Sequence, residues 1–437
     1  MLYDPTYLPF ISALTKAETG EGPRVTLVVR RGQSLVYPYS TRLPTEKAER
    51  YPYLRALTQL LLWMVGGDSL SWIGDEAEYL AFVSRAKTDP ECLPTFQEMS
   101  RIFHTSFSFQ KEDTIPAPKG LNIGASGSFK GCRIGIDLGG SDRKVTAAID
   151  GNVVFSDETL WLPKEQKDWH YHYQGILDSL EKAKEHLPRI DAVGISTAGV
   201  VIDNRFAEAA LCFSVPLEEQ RKEVRDLFLT LQQKEFPDVP MLVANDGDVT
   251  AFGGATLFHQ NHLLGLAMGT GEATGYFADG HFNGWILELG KAPFRFDDTA
   301  EAHYAVRTKG AGTEYLSQKG LLRLAKEAGY IYEGTLAEQL LAFQKEAVAE
   351  DPRWSECYRE MGVYLADAIS LYAHFLPLES VLVLGRVMSG KGGDLMIQVA
   401  NQRLQHSSHP VKVFSADESF KRLGQSYFAA ALPKSKA

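Results

Sequence analysis

The chain has 437 residues, 44% of them apolar and 23% charged, with a formal net charge of −10. That length supports two or three domains with cores of their own, and the composition is ordinary for a globular protein. The acidic balance excludes a general nucleic-acid binder, which needs a basic face, and no apolar run reaches the ~20 residues of a membrane span. The opening MLYDPTYLPF has an early acid and no basic stretch, so it is not read as a signal peptide. Cys92, Cys132, Cys212 and Cys357 are scattered without metal-type spacing. They predict reduced, buried thiols in a cytoplasmic protein.

Residues 1–130 read as a segment of their own. Within it, 24–39 (RVTLVVRRGQSLVYPY) predicts a hairpin, because two β-rich runs flank Arg-Gly-Gln-Ser. Tyr51, Leu54, Leu57, Leu60, Leu61 and Met64 have helical spacing over 45–65, and 75–87 predicts a second helix. Residues 110–130, with Pro116, Pro118 and several Gly and Ser, read as a linker. No basic recognition helix stands out. From Gly131 the pattern alternates. Strands are predicted over 132–137, 144–149 and 153–158, a helix over 175–186, and a buried strand over 192–196 running into Thr197-Ala198-Gly199. A long helix over 218–235, a strand over 241–244 ending at Asn245-Asp246, and a helix over 250–259 follow. The second half repeats the plan with a strand over 263–268, helices from Glu314, Thr335 and Trp354, and a strand over 380–384 ending at Gly385. Two such halves imply two lobes around a cleft.

Two glycine turns stand out. In IGIDLGGSDRKVTAAID (134–150), Gly139 and Gly140 allow a sharp turn and close approach to a ligand, and Ser141 adds a hydroxyl. Asp137, at the strand's end, would hold Mg2+ directly or through water. In LLGLAMGTGEATGYF (263–277), Gly269, Thr270 and Gly271 form the second turn, where Thr270 would donate to a phosphate. Either turn alone is also an ordinary hairpin. Together, with the carboxylate of Asn245-Asp246 between them in sequence, they suggest phosphoryl transfer from a nucleotide to an alcohol, a sugar being the favoured acceptor. Asn245-Asp246 read alone is equally an Asx-turn at a strand end.

The order and spacing of these motifs over about residues 132–432 resemble the ROK group of the sugar kinase/actin/heat-shock ATPase superfamily. VANDGDVTAFGGA (243–255) is similar to that family's Asn-Asp stretch, LELGKAPF (287–294) to its Glu-x-Gly-His stretch, and HFLPLESVLVLGRVMSG (374–390) to its adenosine-contacting element. RLGQSYFAAAL (422–432) is similar to its closing helix. The resemblance implies an α/β protein with a two-lobed actin-like ATPase (ribonuclease H-like) fold, an interlobe cleft and an N-terminal α+β segment. The lobes would be 131–244, closed by a helix over 418–432, and 245–417. It implies an ATP-dependent sugar kinase with Asp246 as general base. Asn245, Glu288, Glu314, Ala198 and Gly199 would line the sugar site. Gly139, Gly140, Ser141, Gly269, Thr270, Gly271 and Gly385 would hold the nucleotide, with Mg2+ on Asp137. A homodimer is expected, with neither nucleic acid nor membrane as partner.

Departures from the family pattern bear on the acceptor. Lys291 replaces the His of the usual zinc site and residues 292–320 hold no Cys, so no structural zinc is expected. Lys291 would instead place a charge near the substrate, or be a solvated lysine. Arg386 follows Gly385 where a second glycine is usual, and 207–216 lacks the family's Asn-Leu-x-Trp sugar contact. Glu314 has a second reading as an acid favoured by a helix N-terminus. His170 and His172 share one face if 169–173 is a strand, and are read as exposed, aromatic-packed side chains. A non-catalytic sugar sensor and a degenerate kinase of the same fold are the alternatives.

Overall fold

The computed structural model describes residues 1–346, 351–407, 409–416 and 418–434. The chain divides into two compact units, and the division does not follow the expected boundaries. Met1–Leu121 joins Leu264–Thr274 and Trp285–Ser415 in the first unit, so the N-terminal segment does not stand apart from the second half. Asn122–Leu263, Gly275–Gly284 and Ala416–Ala437 form the second.

In the first unit the predicted hairpin forms from Arg24–Arg31 and Leu35–Arg42, paired antiparallel with Val28 opposite Pro38. Ser69–Ile73 adds antiparallel on the other side and Ser108–Lys111 adds parallel to it. The predicted helix spans Lys47–Val65 and buries residues on most of its circumference, including Leu57, Leu60, Leu61 and Trp63. Replacing one such leucine by alanine costs about 2–5 kcal/mol. Gly66, at φ 77°, ends the helix and donates to the Leu62 carbonyl at 3.0 Å. The buried Arg31 guanidinium donates to the Val65 carbonyl at 2.8 Å, where helix C-terminal oxygens carry partial negative charge. Helices Phe10–Thr19 and Leu93–Ile102 were not anticipated from the sequence. Farther along, Ser380–Leu384 pairs parallel with Lys412–Ser415; helix Lys391–Leu404 packs on the latter strand, and helix Pro352–Ala373 packs on that helix.

The second unit is built on a five-stranded sheet. Cys132–Leu138 is central, and Ala192–Thr197 and Met241–Asn245 run parallel to it on one side. On the other side Asp142–Ile149 and Asn152–Leu160 form an antiparallel hairpin. Ile134, Ile136, Val193 and Ile195 of the sheet share a core with Ile176, Leu180 and Phe228 of the helices. Helix Glu418–Ala430 lies directly on the sheet. A Cβ on Gly135 would sit 1.9 Å from the Ser426 carbonyl, and one on Gly194 would sit 1.7 Å from that of Ala429. The long helix expected over 218–235 is broken into Leu217–Glu219, a π-turn over Gln220–Val224, and Leu227–Glu235.

His170 is exposed and stacked on Trp169, as expected, whereas the shared strand face and the exposure of His172 are corrected. Both histidines lie in helix Trp169–Lys184, whose N-cap Asp168 accepts from the His170 N–H at 3.0 Å. Helical periodicity puts residues two apart on different faces. His172 is buried, its Nε2 bound to the Pro163 carbonyl at 2.9 Å, while His170 pairs with Asp168. Among the described residues no helix is long and apolar enough to cross a membrane.

Candidate active site

In the second unit, three parallel strands bring the candidates to one edge of the sheet. Leu138 is in register with Thr197, and Thr197 with Asn245. Asp137, the Ala198-Gly199 loop and Asn245-Asp246 therefore lie together beyond the carboxyl ends of these strands, where open α/β sheets bind ligands. The Asp137 carboxyl lies 2.7 Å from the Ser196 hydroxyl, and burial raises its pKa from the usual 3.8. The Gly139–Ser141 turn closes through Gly139 N–H to the Asp142 carbonyl at 2.9 Å. The Trp161 indole N–H donates to the Gly139 carbonyl at 2.8 Å and steadies the turn.

Asn245 caps helix Asp246–Phe258, its side-chain oxygen accepting from the Gly247 N–H at 2.7 Å. The helix thus starts at Asp246, four residues before the expected 250. Asp246 also accepts from the Gly247 N–H, at 2.9 Å, and its charge suits the positive end of the helix. The Asn245 amide donates to the Gly199 carbonyl at 2.7 Å. That bond ties the catalytic candidate to the loop beside it and leaves one amide hydrogen uncommitted by it. Gly199, at φ 107°, has no room for a Cβ, which would lie 2.2 Å from the Glu208 carbonyl.

The first unit gathers the other candidates. Gly269 closes its turn on the Gly271 carbonyl at 2.9 Å, and Thr270 is exposed. Gly385, at φ 104°, abuts the base of this turn, since a Cβ there would lie 2.3 Å from the Met268 carbonyl. Gly269–Gly271 and Gly385 therefore share one locality. Exposed Arg386 follows, its carbonyl held by the Gln344 amide at 2.8 Å.

Glu288 is positioned by the N-terminal helix. The Trp63, Met64 and Val65 carbonyls, left over at the end of Lys47–Val65, accept from Glu288, Leu287 and Ile286 N–H at 2.8, 3.0 and 3.3 Å. Leu287 sits at φ 46°, a conformation that costs a bulky residue about 1–3 kcal/mol and persists only when held from outside. The Glu288 carboxylate lies 3.2 Å from Lys291 Nζ, which also stands 5.1 Å from the Trp63 ring centre. Glu314 is buried in the turn Gly312–Glu314 and ion-paired to Lys319, which also bonds Glu301 at 2.9 Å. Among the described residues, no group of three or more His, Cys, Asp or Glu could hold a metal ion.

Three side chains escaped the sequence reading. Lys164 stands against Gly140, its Nζ 3.7 Å from where a Cβ would be. Buried His303 is pushed down to about 4, chiefly by desolvation and then by Lys291 and Lys319. Its Nδ1 accepts from Ala305 N–H at 3.2 Å, so it is a neutral imidazole. Glu272 follows the second glycine turn directly. Its carboxyl is sealed from water and pushed up to about 8, and its one side-chain partner is the Tyr372 hydroxyl at 3.3 Å. A lone Lys, His or Glu outside a motif carries no signal of this kind.

No family model matches the sequence, and no curated protein matches it. Solved structures do. A ROK family glucokinase from Streptomyces griseus, determined with glucose and AMPPNP, has a TM-score of 0.50 at 19% identity, over 69% of this chain and 98% of that one. The ROK hexokinase from Thermus thermophilus has a TM-score of 0.53 at 17% identity, over 69% and 97%. A ROK family transcriptional regulator, a homolog of the E. coli MLC protein, has a TM-score of 0.50 at 16% identity, over 70% and 79%. At these identities the likeness is one of fold. The chain has the α/β actin-like ATPase fold of the ROK proteins, as its motifs led one to expect.

Proposed function

We propose that this chain is a divergent ROK-type kinase that transfers the γ-phosphoryl group of ATP to a hydroxyl of a sugar or sugar-like alcohol. The observation that carries this reading is the sheet edge of the second unit. There Asp246 directly follows a strand whose last residue, Asn245, is in register with Thr197 before the Gly199 loop, and Thr197 with Leu138 of the strand that leads into Gly139–Ser141. The structural neighbours supply the kinase precedent.

In this reading Asp246 aligns the acceptor hydroxyl and takes its proton as the oxygen bonds to the γ-phosphorus. The bond from that phosphorus to the bridging oxygen breaks, and ADP leaves. The backbone N–H groups of the Gly139–Ser141 turn and the Lys164 ammonium beside it offset phosphate charge. Asp137, a desolvated carboxyl at the foot of the first turn, fits a cation held by one carboxylate, phosphate oxygens and water. Bound Mg2+ would neutralise charge on the β- and γ-phosphates. Glu288 accepts acceptor hydroxyls, and Lys291 beside it favours an acceptor that carries negative charge or many hydroxyls.

Asp246→Asn tests the assignment. Turnover should fall by about 10^2–10^4, the usual share of a general base, with acceptor affinity by calorimetry within a few-fold. Loss of affinity together with turnover would remove Asp246 from the catalytic role. A sugar sensor would bind the acceptor with no dependence on nucleotide and show no transfer.

A further inference from the structure

Phosphoryl transfer gives no role to the front of the N-terminal segment, yet that region encloses space. Helix Phe10–Thr19, the first half of helix Lys47–Val65 and residues 295–298 surround a cavity of about 700 Å³, completed by Lys309. Small-molecule sites span about 300–1,000 Å³. One wall is made of small residues, Ala13, Ala17, Gly20 and Ala56, and larger side chains there would close it. Half-buried Phe296 presents a ring, buried Tyr53 borders the same space, and both pack on Phe10 with centroids 5.1 and 5.9 Å away.

Most charges around this space are already matched, and the two lining groups that carry no ion pair among the described residues, the exposed carboxylates of Glu46 and Asp298, are acidic. Lys16 pairs with Glu49, Arg55 and Lys309 with Glu91, and Arg295 with Asp297 and Asp4. An anion entering would meet those two carboxylates and would have to break one of these pairs. A molecule with no net charge need not, and it gains the ring and methyl surfaces.

Both walls lead to Glu288. The helix that lines the cavity with Tyr53, Ala56 and Gln59 ends in the carbonyls that hold residues 286–288. The opposite wall begins at Arg295, a few residues beyond Glu288. Phe296 N–H donates to the Leu8 carbonyl and Phe10 N–H to that of Phe294, each at 2.7 Å. A guest wedged between these walls bears on both attachments of the Glu288 segment.

We propose that this cavity is an effector site for a small molecule with an aromatic body and no negative charge, and that its occupancy alters the order of residues 285–291. Binding stands independently of the kinase reading, whereas its consequence for the acceptor rests on it.

The uncharged fluorophore Nile red, titrated into the full chain without ATP or sugar, tests this. Expected is a saturable rise in emission at one site per chain, with a change in amide hydrogen exchange confined mainly to 8–20, 47–66 and 285–298. Ala56→Met and Ala13→Leu should each weaken the dye by roughly tenfold or more while the melting temperature holds. Two modest fillings are used so that one misfolded variant leaves the other informative. Unsaturable emission, or wild-type affinity in both variants, overturns the site. Saturable binding with unchanged exchange at 285–291 overturns the coupling. Asp246→Asn should bind the dye like wild type, so failure here and failure of the kinase reading are told apart.

Discussion

Gly139–Ser141 turns between solvated ions, whereas Gly269–Gly271 turns over a carboxyl sealed from water. The first has Lys164 against Gly140 and Lys144 3.3 Å from Asp142. The second is followed by Glu272, whose acid form is retained to a pH of about 8 because burial penalises its charge. Two turns of similar sequence therefore stand in different electrostatic surroundings. One is flanked by cations. The other has a neighbouring acid kept neutral by burial, so that an anion at its N–H groups would meet no charged carboxylate from Glu272. Physically, a glycine turn supplies donors, and its surroundings decide whether an anion is welcome.

The largest effect expected from this contrast is in pH dependence. Glu272 moves from the usual 4.5 in the unfolded chain to about 8 in the fold. Between those values the folded state holds a proton that the unfolded state has released. Its contribution is therefore whole below pH 4.5 and is lost as pH rises toward 8. Glu272→Gln should match wild type near pH 5 and gain about 4 kcal/mol over it by pH 8 in urea unfolding, because each tenfold change in proton affinity is worth about 1.4 kcal/mol. A difference constant with pH would refute the buried acid.

Next in size is steric demand. Gly385→Ala forces a positive-φ residue with a Cβ against the Met268 carbonyl, costing about 2–3 kcal/mol and loosening the second turn. Gly140→Ala meets nothing nearer than the Lys164 side chain at 3.6 Å and should cost under about 1 kcal/mol. Equal costs by chemical unfolding would erase the distinction. The smallest effect is that of Lys164→Ala, which should weaken ATP by about 1 kcal/mol at low salt and less at high salt, since an exposed charge is screened. An effect independent of salt would mean Lys164 acts through packing.

What the sequence disclosed follows from the range of the forces involved. Gly139-Gly140, Gly269–Gly271 and Asn245-Asp246 were legible because turn geometry and chemistry are written within a few neighbouring residues. The fold was legible through the order of those motifs, and the hairpin over 24–39 through its β-rich runs about a turn. The start of helix Asp246–Phe258 was missed because Asn245 reads equally as a turn and as a cap. The break in 218–235 leaves no mark in periodicity. The hold of the Trp63 carbonyl on Glu288, the burial of Glu272 and the approach of Lys164 to Gly140 all join distant stretches of chain. No local pattern encodes them, and this is why residues 1–130 were left without a role.

Phosphoryl transfer with Asp246 as base is open to a single experiment. Its most direct test is transfer of label from γ-labelled ATP to a panel of sugars, sugar acids and sugar phosphates, with wild type and Asp246→Asn run side by side. Expected is labelled product from one acceptor class with wild type and a loss of about 10^2-fold or more with the variant. Labelled product formed equally by both, or an acceptor that binds tightly and is never labelled, would contradict it.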